Sequence, residues 1–209
     1  MRVECYGQTR PQEGRQVTQN QDAHVIGRTP FPWAAVFDGA GNAQTVARRA
    51  ASLLETSLAE ATLGQLLRDE SLVGWVKRLD SALLGGAQTT VVGAALVGEQ
   101  AAVFAAGDSR AYLVPSDGRV KLLAERSSKS RLGSGEAHPV VDRVPLQRRD
   151  VLVLLSDGAW GPLGLPGIER AVRAAATRHF SEVPQAILDA ASRRGCADDM
   201  TAVALRLIQ

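Results

Sequence analysis

The stretch AAVFDGAGNAQ, residues 34–44, joins a short apolar run to a helical pattern through Asp38 and Gly39. The apolar run is typical of a buried strand, and an ionised carboxylate at its end is costly to remove from water. Asp38 therefore either faces a positively charged group or caps the helix that follows. The same question arises at other strand ends of this sequence, and its answer determines both the fold and the chemistry that we expect.

Composition excludes several classes of protein. The 209 residues are 45% hydrophobic and 22% charged, as in an ordinary globular domain. The net charge of +2 is too small to indicate a nucleic-acid partner. The two cysteines, Cys5 and Cys196, have no CxxC spacing, so no zinc or redox site is indicated. With no signal-peptide pattern, no transmembrane-length apolar run and no heptad repeat, we expect a soluble cytoplasmic monomer that does not bind membranes.

The hydrophobic pattern predicts groups of strands that alternate with pairs of helices. Predicted strands lie at 2–7, 17–27, 33–37, 89–97, 100–106, 109–114, 120–123, 151–155 and 200–208, and predicted helices at 42–61, 63–84, 168–180 and 183–194. Strands and helices do not alternate one by one, so the order disfavours a doubly wound parallel sheet. It favours an α+β sandwich in which helix pairs cover sheets. The polar segment 125–149, punctuated by Gly and Pro, is predicted to be a loop or a small surface insertion.

Aspartates recur where apolar strands end. They lie in NQD (20–22), VFDG (36–39), AAGDSR (105–110), LLSDG (154–158) and ADDMT (197–201). One Asp-Gly dipeptide is ordinary turn chemistry. Several carboxylates brought together repel one another unless protons or cations intervene. Mg²⁺ and Mn²⁺ prefer oxygen ligands, so the recurrence points to a divalent-metal site rather than to five separate turns.

These motifs resemble one protein family. GDSRAY (107–112) after an apolar strand, VFDG, LLSDG, QTT (88–90) opening a strand, and a terminal DDMT strand are similar to the metal-dependent serine/threonine protein phosphatases of the 2C type. The order of the motifs matches over nearly the whole chain. The resemblance implies a single catalytic domain, residues 1–209, folded as a four-layer α/β/β/α sandwich. In it, two antiparallel sheets are flanked by pairs of antiparallel helices, and the flap around 125–149 is shortened.

The resemblance also implies the site. Asp38, Asp157 and Asp198 match the catalytic metal-binding carboxylates, with Asp38 bridging two cations. The remaining implied ligands are the Gly39 carbonyl, Asp22 near the second metal, and Asp108 at a third metal of bacterial relatives. The implied cofactors are two Mn²⁺ or Mg²⁺ ions, with a third at Asp108. Asp199 stands where the family usually has Asn, so we treat it as a neighbour of the ligands.

The implied reaction is hydrolysis of phosphoserine and phosphothreonine on proteins by metal-activated water, without a phosphoenzyme, in opposition to a serine/threonine kinase. Two family positions differ in this chain. Val17 stands where many members have a phosphate-binding Arg, and Arg15, two residues away, is the candidate to replace it through a local bulge in a strand. Ala40 stands where many eukaryotic members have a His that acts as general acid, so protonation of the leaving group would fall to water.

Three other interpretations remain to be tested. The first is a dinucleotide site at Gly39-Ala40-Gly41, which fits poorly because Gln44 stands where a small residue is needed. The second is a catalytically weakened member of the same fold that binds phosphoproteins as a sensor or scaffold. The third is a purely structural role for the aspartates as caps and turn residues.

Overall fold

The computed structural model describes residues 2–40, 45–125 and 130–208. Within these ranges the strands are β1 Val3–Arg10, β2 Ala23–Gly27, β3 Trp33–Phe37, β4 Gly39–Ala40, β5 Gln88–Thr89, β6 Val91–Val97, β7 Gln100–Ala106, β8 Arg110–Val114, β9 Lys121–Leu123, β10 Val140–Pro145, β11 Val151–Leu155 and β12 Met200–Leu207. The α-helices are α1 Val46–Ala59, α2 Leu63–Leu66, α3 Asp69–Ala82, α4 Asp157–Trp160, α5 Gly164–Ala176 and α6 Val183–Ser192.

The strands form two five-stranded sheets and one small ribbon. One sheet has the order β1-β12-β11-β8-β9, and the other has the order β10-β7-β6-β3-β2. The neighbouring strands of both sheets pair antiparallel. The ribbon joins β4 to β5, directly after the strand that ends at Phe37. Antiparallel sheets with grouped helices confirm the α+β class and exclude a parallel doubly wound sheet.

Three apolar layers hold the molecule together. Alternate residues of β3 point in opposite directions, as in any strand: Ala34 and Val36 lie between the two sheets, while Trp33 and Phe37 face α1 and α3. The outer face of the other sheet is covered by α5 and α6. The resulting order of helices, sheet, sheet and helices is the predicted four-layer sandwich.

Two predicted elements differ from the structure. The helix predicted at 63–84 is two helices, because Thr62 and Gln65 form a capping box that starts α2, and Arg68 is extended before Asp69 begins α3. The segment 125–149 is not all loop, since β10 pairs with β7 at the edge of a sheet. Proline is tolerated on an edge strand, which explains how Pro145 ends β10.

The region before β2 also differs from prediction. Residues Val17–Gln19 form a 3₁₀ turn rather than a strand, and Val17 is 74% exposed. The argument that Arg15 reaches the family arginine position through a bulge in a strand therefore does not apply. The predicted start of the first helix at 42–44 lies outside the described residues; from Val46 onward that helix is confirmed.

Candidate functional site

The backbone of Asp38 is held by the first residues of the segment that leads into β6. The Asp38 carbonyl accepts hydrogen bonds from the Thr89 hydroxyl at 2.9 Å and from the Thr90 amide at 2.9 Å. The Asp38 amide donates to the Thr90 hydroxyl at 3.1 Å. The Gly39 amide donates to the Gln21 carbonyl, which ties this corner to the loop that contains Asp22. The Asp38 backbone is thus fixed at the junction between β3 and the ribbon, and among the described residues the N-cap position of α1 is Thr45.

Asp157 begins a short helix that lies directly against the start of β12. A Cβ atom on Gly158 would lie 2.1 Å from the Asp199 carbonyl oxygen and 3.3 Å from the Asp198 Cβ. Only glycine allows this approach without displacing backbone. The Asp-Gly pair of LLSDG therefore brings two distant parts of the chain, Asp157 and Asp198, to one place.

Asp22 is the most enclosed acid of the group, at 4% exposure. Its amide donates to Asn20 Oδ1, and the Ser156 and Thr201 hydroxyls hydrogen-bond its carboxyl group. One oxygen, Asp22 Oδ2, nevertheless has no hydrogen-bond partner among the described residues. A buried carboxylate oxygen without a partner is unfavourable unless a cation or water completes it.

Asp108 lies in the turn between β7 and β8. Its carbonyl accepts a hydrogen bond from Trp160 Nε1 at 3.0 Å, which connects this turn to α4. The next residue, Ser109, is hydrogen-bonded through its hydroxyl to the Thr90 hydroxyl at 2.6 Å. Thr90 therefore bridges the backbone of Asp38 and the turn that contains Asp108.

Charge effects show that the five predicted aspartates converge. Burial, followed by the charges of Asp22 and Asp157, raises the pKa of Asp38 to about 9. Burial raises the pKa of Asp22 to about 7, with Asp157 adding to the shift. Burial, followed by the charges of Asp198 and Asp108, also raises the pKa of Asp157, while a hydrogen bond with Asp38 opposes that shift. Without a cation, Asp38 therefore retains its proton at neutral pH.

The donor set fits a hard divalent cation, although it is not a preformed cage. In the three described ranges, no group of three or more His, Cys, Asp or Glu side chains is arranged to hold a metal ion. The carboxyl groups of Asp38 and Asp157 nevertheless lie close enough to interact through a hydrogen bond. Mg²⁺ typically keeps several waters and binds one or two carboxylates, so it needs no larger cage. The unpartnered oxygen of Asp22 is the position where a cation would relieve an unfavourable burial.

Asp199 and Arg15 form an ion pair, and the charge of Asp199 adds to the raised pKa of Asp22. Asp199 is 2% exposed, and its two oxygens accept the amides of Gln12 at 2.7 Å and Gln21 at 2.8 Å. Arg15 Nη1 lies 3.4 Å from the same carboxylate. Asp199 thus anchors the loop before Asp22, which agrees with its interpretation as a neighbour of the ligands, and Arg15 is held against Asp199 rather than against Asp38.

Two residues near the site were missed by sequence reasoning. Arg131 Nη2 lies 3.2 and 3.4 Å from the two oxygens of Asp108, and its charge lowers the pKa of Asp38. Asp80, buried on α3, accepts three backbone amides of the loop that follows Arg131. Arg131 lies in the segment predicted to be a polar loop, where one arginine among several had no distinguishing signal. Asp80 has no signal in the sequence because loop packing alone buries it.

Comparison with protein families gives a match that covers most of the chain. The family described as Stage II sporulation protein E (SpoIIE) matches residues 44–208. Sequence comparison with curated proteins gives no significant match. None of the described helices has the length and apolar character needed to cross a bilayer.

Solved structures with the same fold cover nearly the whole chain. The S. agalactiae serine/threonine phosphatase is 19% identical, with a TM-score of 0.83 over 99% of this chain and 100% of its own. Stp1 from Staphylococcus aureus is 16% identical, with a TM-score of 0.82 over 100% and 96%. The catalytic domain of the phosphatase PstP, in complex with two manganese ions, is 18% identical, with a TM-score of 0.81 over 99% of both chains. The fold is therefore that of these bacterial phosphatases, and the chain belongs to the SpoIIE family.

Proposed function

We propose that this protein is a Mn²⁺- or Mg²⁺-dependent phosphatase that hydrolyses phosphoserine and phosphothreonine on proteins. The observation that supports it is the convergence of Asp22, Asp38 and Asp157, from both sheets, into a cluster whose burial and mutual repulsion raise all three pKa values. Helix capping and turn formation do not require three acidic side chains to lie at one place. The names of the structural relatives, which are serine/threonine phosphatases, support the same assignment.

Each acid has a proposed role. Asp38 would be shared by the two cations, with the Gly39 carbonyl as a further ligand. Asp22 would contribute its unpartnered oxygen to one cation, and Asp157 and Asp198 would hold the other. When bound, such ions lower the pKa of a water molecule and neutralise charge on a phosphoryl group. The chain's part is to fix the acids rigidly, which it does through the hydrogen bonds of Thr89 and Thr90 to Asp38.

The domain and partner assignments are also proposals. Residues 1–209 act as one catalytic domain with a short flap around 125–149, and the protein works as a monomer on phosphoproteins made by an opposing kinase. Ala40 supplies no acid to the leaving group. Protonation of the departing serine or threonine oxygen therefore falls to solvent, so activity should depend strongly on the acidity of the leaving alcohol.

The test is hydrolysis of p-nitrophenyl phosphate and of a phosphothreonine peptide, with Mn²⁺ and with excess EDTA. We expect turnover with Mn²⁺, none with EDTA, and a loss of at least about 10³-fold in Asp38→Asn, since the bridging charge is removed. Asp117→Asn, an exposed turn residue outside the cluster, is the matched control and should keep wild-type activity.

Two results would overturn the proposal. Mn²⁺ binding without hydrolysis of either substrate would indicate a phosphoprotein-binding scaffold. Full Mn²⁺-dependent turnover in Asp38→Asn would show that the acidic cluster takes no part in the reaction.

A further inference from the structure

The acidic cluster contains a cationic side chain that the predicted ligand set does not include. Arg131 Nη2 contacts both oxygens of Asp108, at 3.2 and 3.4 Å. Arg131 is also the cation that most lowers the pKa of Asp38. Its guanidinium therefore contacts Asp108 and lies close enough to Asp38 to influence its charge, although residue 131 belongs to the shortened flap.

Backbone pairing holds Arg131 at this place. Leu132 pairs with Thr89 through two hydrogen bonds, from the Leu132 amide at 2.7 Å and from the Thr89 amide at 3.1 Å. Thr89 in turn pairs with Gly39 in the ribbon. A continuous set of backbone pairings thus runs from the residue after Asp38, through Thr89, to the residue after Arg131, so the position of Arg131 is fixed relative to Asp38.

A buried carboxylate fixes the other end of the same loop. Asp80 is 4% exposed and accepts the amides of Gly133 at 2.7 Å, Gly135 at 3.0 Å and Ala137 at 3.0 Å. Three hydrogen bonds to one buried charge leave the loop after Arg131 little freedom. This loop is therefore held in one conformation, and it supports Arg131.

We propose that Arg131 binds the phosphoryl group of the substrate, exchanging its contact with Asp108 for phosphoryl oxygens. The inference rests on the proposed function. It assigns to a residue of this chain's flap the phosphate-binding role for which Arg15 is the candidate in the sequence analysis. Arg15 lies against Asp199, whose oxygens also hold two backbone amides. Arg131 lies against Asp108, and its charge acts on Asp38.

The ion pair between Arg131 and Asp108 is weak enough for phosphoryl oxygens to replace Asp108. A single nitrogen of Arg131 reaches both carboxylate oxygens, rather than two nitrogens reaching two oxygens. The side chains of Arg131 and Asp108 are 24% and 36% exposed, and partly solvated ion pairs contribute little stability. A phosphate monoester dianion offers oxygens that match both nitrogens of the guanidinium fork, which is the stronger arrangement.

The experiment compares wild type with Arg131→Ala and Arg131→Lys in two assays. Steady-state hydrolysis of p-nitrophenyl phosphate with Mn²⁺ separates KM from kcat. Calorimetric titration of inorganic phosphate, in the presence of Mg²⁺, measures anion binding without turnover. Arg143→Ala is the matched control, because Arg143 is 25% exposed, belongs to the same 125–149 segment and pairs with Asp69 away from the cluster.

We expect Arg131→Ala to raise KM and to weaken phosphate binding by the same factor of about 10 to 100, with kcat changed by less than about threefold, because a charged hydrogen bond to both ground and transition states is lost. Arg131→Lys should recover part of the loss, since it keeps the charge but not the fork. Arg143→Ala should match wild type in both assays.

Wild-type KM and wild-type phosphate affinity in Arg131→Ala would overturn the inference. So would an equal effect in Arg143→Ala, which would indicate a general loss of positive charge. These outcomes are separate from failure of the proposed function. A wild-type protein without Mn²⁺-dependent hydrolysis refutes the function, while the phosphate titration still reports whether Arg131 binds the anion.

Discussion

Removing the charge of Asp38 should stabilise the metal-free protein, although it destroys the proposed site. In the folded chain, burial and the neighbouring acids raise the pKa of Asp38 from 3.8 to about 9. In the unfolded chain, the same group ionises freely at neutral pH. Folding at pH 7.5 must therefore either keep a proton on Asp38 or hold its charge among other acids, and both are unfavourable. Asp38→Asn removes this penalty with almost no change in shape.

The size of the effect follows from linkage. The 3.7 pH units between the ordinary carboxyl pKa of 3.8 and an assay at pH 7.5 correspond to an upper bound of about 5 kcal/mol, at about 1.4 kcal/mol per unit. Asp38 is only partly enclosed, so solvent screening reduces this. We expect a gain of about 2 kcal/mol in the free energy of unfolding, which for a chain of this size raises Tm by about 4–8 °C.

The assay is thermal unfolding of wild type and Asp38→Asn, each with EDTA and with saturating Mn²⁺. Wild type should be stabilised by Mn²⁺, by about 2.7 kcal/mol at 100 times the dissociation constant. Asp38→Asn should show little Mn²⁺ response, so the order of the two Tm values reverses between the conditions. The control Asp117→Asn should follow wild type within about 0.5 kcal/mol in both. A lower Tm for Asp38→Asn in EDTA, or an undiminished Mn²⁺ response, would refute the reasoning.

Three further predictions follow from the same geometry. In EDTA, the free energy of unfolding of the wild type should fall as pH rises from 6 to 9. Asp22 and Asp38, with pKa values raised to about 7 and about 9, bind protons more tightly in the folded than in the unfolded state. A free energy of unfolding that stays constant or rises over that range would contradict this. Gly158→Ala should lose at least about 2 kcal/mol of stability, because its Cβ would lie 2.1 Å from a backbone oxygen, and it should weaken Mn²⁺ binding measured by calorimetry. The control Gly64→Ala, in α2, should be neutral or stabilising. Asp80→Asn should cost about 1–3 kcal/mol and speed amide exchange in residues 131–137, since an amide group cannot accept all three backbone hydrogen bonds; unchanged exchange there would show that Asp80 does not support the loop.

Much of the architecture could be predicted because the strands are strongly apolar and their ends carry the same residue type. The pattern placed Asp38 and Asp157 at strand ends, and the structure brings them into hydrogen-bonding contact. The break between α2 and α3 was also readable in principle, since Thr62 and Gln65 form a capping box and Asp69 favours a new helix start. It was missed because the leucine spacing continues across the break.

Other features depend on contacts that no local pattern encodes. β10 was read as loop because Pro145 and polar residues surround its valines, and an edge strand needs only one paired neighbour. Arg131 reaches the cluster through the pairing of Leu132 with Thr89, a long-range bridge invisible in either segment alone. Asp80 lies in the last turn of the amphipathic helix α3, where no sequence pattern predicts that the loop at 133–137 will donate three amides to it.

The most direct test of the central claim is a crystal structure with Mn²⁺, with the ions located by their anomalous scattering. The account predicts two ions about 3.5–4 Å apart, with Asp38 contacting both, Asp22 contacting one and Asp157 the other. Manganese bound only at scattered surface carboxylates, with Asp38 and Asp157 still hydrogen-bonded to each other, would contradict it.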